Sequence, residues 1–230
     1  MTEQNDGVQD GGWQAALPYV GPMAAFMALL WLGPRLGLGE WEFPLRVVVL
    51  GGVLWFCSRK VVTLRARHWL ASIGVGAAVF AIWVAPDLLV AGWRSHWLFQ
   101  NAVMGSVATS IDTTLLASPM VLVFRTIRAV ILVPIIEELF WRGWLMRWLI
   151  KNEFQSVPLG TYTASSFVIT ALLFASEHGP YWEVGLAAGL IYNAWMIRTR
   201  SLADCIVAHA VTNAILCGYV IASGKWEYWL

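Results

Sequence analysis

Long apolar runs alternate with short polar breaks along this chain, and most of the runs suit helices that cross a bilayer. Spanning the hydrocarbon takes about 20 apolar residues as a helix. The runs fall at 14–33, 41–58, 69–86, 119–149, 163–178, 181–197 and 203–222. The fourth is long enough to tilt, kink or divide. The fifth and sixth are short and abut at Gly179-Pro180, which reads as a tight hairpin between helices. Residues 87–117 are less apolar and contain Arg94, His96, Gln100, Asn101 and Asp112. They read as an extramembrane or interfacial segment, with room for an eighth, partly polar helix. No internal repeat, low-complexity tract or linker interrupts the pattern, so one domain suffices. The expected fold is all-α: a polytopic transmembrane helical bundle of about seven spans, or eight.

Composition strengthens this reading. Of 230 residues, 59% are hydrophobic and 13% charged, and mean hydropathy is +0.64. A soluble domain carries about a quarter charged residues, so most of the surface that water needs is missing. A net charge of +1 gives no bias toward nucleic acid. Many of the 15 tryptophans sit near the ends of apolar runs, as in Trp13, Trp31, Trp41, Trp69, Trp182, Trp195 and Trp226. Amphipathic rings at headgroup level form such belts. The cysteines, Cys57, Cys205 and Cys217, lack zinc-like spacing, and an odd number gives no disulfide framework. The opening MTEQNDGVQDGG is polar and acidic, without the basic start of a cleavable signal. The first run is therefore expected to remain as a helix.

Positive charge suggests an orientation. Arg59, Lys60, Arg65 and Arg67 lie between runs two and three. Arg147 and Lys151 follow run four, and Arg198 and Arg200 separate runs six and seven. With seven spans these loops share one side, which the positive-inside rule makes cytoplasmic. The N-terminus is then cytoplasmic and the C-terminus outside. Arg35, Arg46, Arg125, Arg128 and Lys225 pull weakly the other way.

Ionisable groups at membrane depth are costly and usually line functional cavities. Here they concentrate in IIEELFWRGWL (Glu137, Glu138, Arg142), LLFASEHG (His178) and IVAHAVTNAI (His209, Asn213). Residues i and i+4 share a helix face. Glu138 and Arg142 can therefore pair along one helix, while Glu137 points about 100° away, toward a different neighbour. His209 and Asn213 project from one stripe. A carboxylate, two imidazoles and an amide can thus converge from three helices. That set suits hydrolysis: a carboxylate and an imidazole activate water, and a second imidazole with an amide N–H stabilises an oxyanion.

Each motif also has a plainer reading. A Glu–Arg i, i+4 pair is most often structural. A histidine at a helix end is commonly a cap or interfacial residue. His209 with Asn213 can be hydrogen-bond glue between helices. Glu137 is harder to explain by packing, and the three motifs in this order weigh more than any one.

Those motifs resemble the CAAX protease and bacteriocin-processing (CPBP, or Abi) membrane proteins, which include prenyl-protein endoproteases of the Ras-converting type. EExxxR is matched by Glu137 to Arg142, FxxxH by Phe174 to His178, and HxxxN by His209 to Asn213. The Gly-rich GLAAGLIYNAWMIRTRSLADCIVAHAVTN is similar to the family's helix leading into the third motif. The resemblance covers 118–222, read as the catalytic helical core; the first half carries nothing specific to the family and reads as a polar tail (1–13) and N-terminal membrane helices with an interfacial segment (14–117), and a short C-terminal tail (223–230) follows the core. It implies an intramembrane endopeptidase. Glu137 and His178 would activate water, and His209 and Asn213 would stabilise the oxyanion. Glu138 and Arg142 would support Glu137, with Glu138 also able to help directly, and Phe174 would pack.

The resemblance is read with a nonmetal glutamate mechanism, so neither cofactor nor metal is expected. A zinc-dependent version of the protease is the alternative, since a carboxylate and two imidazoles can bind Zn²⁺. No HExxH-like spacing is present. Prenyl endoproteases of the family have eight spans, and Glu177 adds an acid beside His178, where it is expected to face the aqueous rim. CAAX specificity is not carried over. The expected partners are a peptide or membrane-tethered protein substrate and the lipid bilayer, with no nucleic acid. The expected location is the bacterial inner (plasma) membrane. Competing functions are a non-catalytic scaffold or bacteriocin-immunity protein of the same fold, and a small transporter, which the lack of an inverted repeat disfavours.

Overall fold

Each apolar run is a helix in the computed structural model, which describes residues 11–229. Residues 1–10 of the expected N-terminal tail, and the last residue of the expected C-terminal one, lie outside the described residues. The helices are α1 (Gly11–Leu32), α2 (Glu42–Val53), α3 (Trp69–Leu89), α4 (Pro119–Trp148), α5 (Ala164–Ser176), α6 (Trp182–Thr199) and α7 (Leu202–Ser223). Among the described residues there are no strands, only one isolated bridge between Asn101 and Gly105. The all-helical expectation therefore holds.

The span count is met only in part. Five segments, those holding α1, α2, α3, α4 and α7, are long and apolar enough to cross a membrane. At 1.5 Å per residue the 13 residues of α5 reach about 20 Å, short of a core about 30 Å thick. α6 carries Glu183, Asn193 and Arg198 in its 18 residues and is not among the five. Residues 90–118 hold short 3₁₀ turns at Trp93–Ser95 and Thr113–Leu115 rather than an eighth helix. The long fourth run does not divide. It continues through two π-turns, Arg128–Leu132 and Leu139–Leu145.

Proline inside a membrane helix is tolerated where a neighbour satisfies the freed carbonyl. Pro22 has no N–H for the Pro18 carbonyl four residues back, and Ser58 Oγ donates to that carbonyl at 2.6 Å. This single bond ties α1 to the end of the α2 segment.

α3 and α7 pack most closely. A Cβ at Gly76 would meet the Ala208 carbonyl and Val211, so only glycine lets the two backbones approach this far. Thr212 Oγ1 donates to the Gly76 carbonyl at 2.8 Å. At the N-terminus of α7, Ser201 caps the Asp204 N–H. The fully buried Asp204 carboxylate accepts from Arg67 N (3.1 Å), His68 N (2.7 Å) and Ser72 Oγ (3.2 Å), which pins the start of α3. We expect Asp204→Ala to cost about 2–3 kcal/mol, because it leaves donors buried without an acceptor. Thermal unfolding of the purified variant tests this, and an unchanged midpoint would count against it.

These contacts sort the loops into two ends. Arg67 and His68 meet α7, and Gly160 lies against Met196 and Arg200, so the three basic loops gather at one end. At the other end Arg94 reaches Asp87 (3.0 Å), Glu183 (2.6 Å) and the Pro180 carbonyl (2.7 Å). Residues 223–229, expected as a short tail, instead turn back at this end. Tyr228 and Trp229 are buried, Tyr228 donates to Asp87 at 2.8 Å, and the Trp229 carbonyl accepts from Ser110 N at 3.0 Å.

Candidate active site

The site is built around α4, and its first π-turn explains how α7 is attached. There the Val133 N–H bonds the Arg128 carbonyl, five residues back. The Ala129 carbonyl in that register needs the N–H of residue 134, which is Pro134 and has none. Asn213 Nδ2 donates to Ala129 O at 2.8 Å. One amide hydrogen of Asn213 is thus committed, and a second remains.

The next turn of α4 carries the acidic pair. Glu138 is fully buried and its Oε1 accepts from Arg142 Nη1 at 3.0 Å. Arg142, also fully buried, gives Nε to Asn193 Oδ1 (2.9 Å) and Nη2 to the Gly189 carbonyl (3.2 Å). Its guanidinium lies 4.7 Å from the Phe174 ring centroid. Asn193 in turn donates to the Phe167 carbonyl at 2.8 Å. One arginine therefore joins α4, α5 and α6. The Glu138–Arg142 pair expected from the spacing is present.

The pair also orients a histidine. His209 Nδ1 lies 2.9 Å from Glu138 Oε1. A carboxylate already accepting from arginine only accepts, so Nδ1 is the donor. His209 stacks on Tyr192 (5.2 Å, 21°), and its Nε2 lies 3.9 Å from Glu137 Oε2, beyond hydrogen-bond range. Glu138 and Arg142 thus hold His209 directly, whereas the family reading assigned them to supporting Glu137. Glu137 is 6% exposed, and its Oε2 is buried with no hydrogen-bond partner among the described residues.

His178 follows α5. Its Nδ1 lies 2.7 Å from the Phe174 carbonyl, which can only accept. Nδ1 therefore carries the proton, and in the neutral ring Nε2 keeps its lone pair. The ring is wedged against Phe174 (4.7 Å) and Trp83 (5.2 Å). Gly185 makes room for it, since a Cβ there would come within 3.1 Å of Nδ1. Glu177 is exposed and accepts from Trp141 Nε1 at 3.2 Å.

Glu137, His178, His209 and Asn213 all line one cavity of about 190 Å³. Trp83, Tyr181, Tyr192, Tyr228 and Trp229 contribute aromatic walls. Among the described residues no group of three or more His, Cys, Asp or Glu side chains is arranged to hold a metal ion. The sequence reading missed Asn193, Tyr192 and the aromatic wall of Trp83 and Tyr181, because asparagine and aromatics in apolar runs read as packing.

An all-helical bundle with five helices long and apolar enough to cross a membrane, and with carboxyl, imidazole and amide groups buried in its core, defines a class of multi-pass helical protein with a polar interior. Residues 119–215 match the family model of Rce1-like proteins, type II CAAX prenyl endopeptidase Rce1-like. The match runs from the start of α4 into α7 and takes in all three motifs, so the family resemblance is shown for this part of the chain. No curated protein and no solved structure matches. The family and the five apolar helices together indicate an integral multi-pass membrane protein, and the family supports an intramembrane protease function of the CAAX-endopeptidase type.

Proposed function

We propose that this protein is an intramembrane endopeptidase that hydrolyses a peptide bond in a peptide or a membrane-associated protein. The observation that carries the reading is the convergence of Glu137, His178, His209 and Asn213 on one cavity from α4, the α5–α6 turn and α7. The attacking water gives its hydrogens to the Glu137 carboxylate and to His178 Nε2, which holds a lone pair because Nδ1 carries the ring proton. As its oxygen adds to the carbonyl carbon, Glu137 takes the proton and later delivers it to the leaving amine. The oxyanion is met by the second amide hydrogen of Asn213 and by His209 Nε2–H. With Nδ1 already donating to Glu138, His209 performs this role as the imidazolium. That state also balances charge: two carboxylates, Arg142 and His209 then sum to zero in a buried cluster. Glu138 and Arg142 are positioning residues.

Comparative peptidomics of membranes holding the wild-type chain or Glu137→Ala tests the activity. Wild-type membranes should hold cleaved fragments that are absent with Glu137→Ala. Identical fragment sets would remove the protease reading.

The mechanism assigns no step to a metal. Purified protein should therefore turn over without stoichiometric zinc. Elemental analysis beside activity is the check, and one zinc per chain with activity lost on stripping and regained on return would favour the zinc-dependent version. We further propose a bacterial plasma-membrane location with the N-terminus cytoplasmic. The gathering of three basic loops at one end of the bundle supports that orientation.

A further inference from the structure

The cavity that holds Glu137 and both histidines has a volume of about 190 Å³. Pockets that enclose a drug-sized molecule run from about 300 to 1,000 Å³. A peptide reaching past its scissile bond on both sides is at least that large, so part of the wall must move before it enters. Most of the wall lies on α1, α3, α4, α5, α6 and α7, or in the turn between α5 and α6. Tyr228 and Trp229 are the exceptions. They sit in the short segment after α7. There Gly224 ends the helix in the left-handed region at φ +69°, and Trp226–Tyr228 forms a single 3₁₀ turn.

Gly224 is exposed, and a Cβ there would meet no atom within 4 Å. The segment is therefore free at its root and held at its far end. Tyr228 donates to Asp87 Oδ2 at 2.8 Å and packs on Tyr181, with ring centroids 5.2 Å apart. The Trp229 carbonyl accepts from Ser110 N (3.0 Å), Thr109 Oγ1 (3.2 Å) and Ser110 Oγ (3.3 Å). Releasing these bonds strands little. Asp87 keeps Arg94 Nε at 3.0 Å, and Ser110 is exposed, so water can replace the carbonyl it loses. The aromatic rings of the segment suit the headgroup level into which they would turn. Moving α4, α5 or α6 would instead break the buried bonds of Arg142 and Asn193.

We propose that residues 224–229 form a strap that closes the cavity and swings about Gly224 to admit a peptide substrate. The gate rests on the protease reading and adds regulation to that same site. The closed form dominates, because opening exposes Trp229 and parts its ring from the Arg125 guanidinium, 4.5 Å away. The open form is a minor population on which substrate binding draws, as with lids over other active sites. A native reporter faces the strap: Cys217 lines the same cavity and packs with Tyr228 and Trp229. Cys205 is a matched control on the same helix. It is fully buried, lies outside the cavity wall, and has the Tyr192 carbonyl and Met196 Sδ each at 3.8 Å from its sulfur.

The test uses the full chain carrying Cys57→Ser in lipid nanodiscs, with N-ethylmaleimide as the probe and mass spectrometry to read each remaining thiol. Cys217 should react slowly. Tyr228→Phe removes only the bond to Asp87 and should speed that reaction about 10- to 100-fold, the range for a lost hydrogen bond to a charged group. Cys205 should keep its slow rate. Ser110→Ala removes one donor to the Trp229 carbonyl and should speed Cys217 by a smaller factor; it decides the matter if Tyr228→Phe does not fold. Unchanged Cys217 labelling overturns the strap. So does a joint rise at Cys205 and Cys217, which marks a loosened bundle. In the peptidomic comparison, Glu137-dependent fragments should accumulate faster with Tyr228→Phe. Faster labelling with an unchanged fragment rate overturns the gate. Fragments absent from wild-type membranes would remove the protease reading and with it the substrate role, while the labelling rates still decide whether the strap opens.

Discussion

Glu137→Gln should lower turnover by about 10²- to 10⁴-fold while the protein still reaches the membrane at normal abundance. The substitution keeps shape and volume and removes only the base. Little structure depends on the lost charge, because Glu137 Oε2 has no hydrogen-bond partner among the described residues. His178→Ala should lose turnover to a similar degree with a modest fall in abundance, since its ring fills space between Phe174 and Trp83. Asn213→Ala differs. It removes an oxyanion donor and also leaves the Ala129 carbonyl unpaired, so activity and stability should fall together. A scaffold or immunity protein of the same fold would rank these variants in reverse: Glu137→Gln would be nearly silent, and function would follow abundance. Complementation of a deletion phenotype, read beside membrane abundance, separates the two. Full complementation by Glu137→Gln at normal abundance would defeat the protease assignment.

Periodicity and hydropathy carried much of the architecture, because a lipid-solvated helix must be apolar along its whole length. All seven helices stand where apolar runs predicted them, and Gly179-Pro180 does turn α5 into α6. Whether a run crosses the bilayer was less legible. α5 and α6 read as spans by hydropathy yet fall short in length or carry polar residues that bind inside the bundle, such as Asn193. The three polar motifs were visible because charge in an apolar run has few explanations. Their partners were not. The link from Asn213 to Ala129 depends on a π-turn meeting Pro134, and a spacing rule based on 3.6 residues per turn does not contain that register. Arg125 and Arg128 entered the sequence reading only as charges opposing the orientation, since nothing in a linear pattern says that they line the same cavity as Glu137. Asp204 follows Ser201 at the spacing of a capping box, which marks the start of α7 in the sequence. A short polar-aromatic stretch such as 223–229 has no period to mark it as structured, yet aromatic burial returns Tyr228 and Trp229 to the cavity wall.

Arg142→Ala should be the most destabilising single change in the core, at about 3–5 kcal/mol, the range for removing one partner of a buried ion pair. Arg142 is fully buried, and its three hydrogen bonds join Glu138, Asn193 and the Gly189 carbonyl. Its loss leaves the Glu138 carboxylate facing only His209, and leaves Asn193 Oδ1 and the Gly189 carbonyl without the donors that joined α4 to α6. Arg142→Lys restores charge but not the fork, so it should recover only part of the stability. The pair can be separated from its surroundings by a double-mutant cycle. Glu138→Gln with Arg142→Met should cost less than the sum of the single changes, because the single changes strand a charge and the double change does not. Thermal unfolding of the four purified proteins gives the coupling. An Arg142→Ala midpoint equal to wild type, or strictly additive losses, would show that the buried pair contributes little and that another contact holds His209 in place.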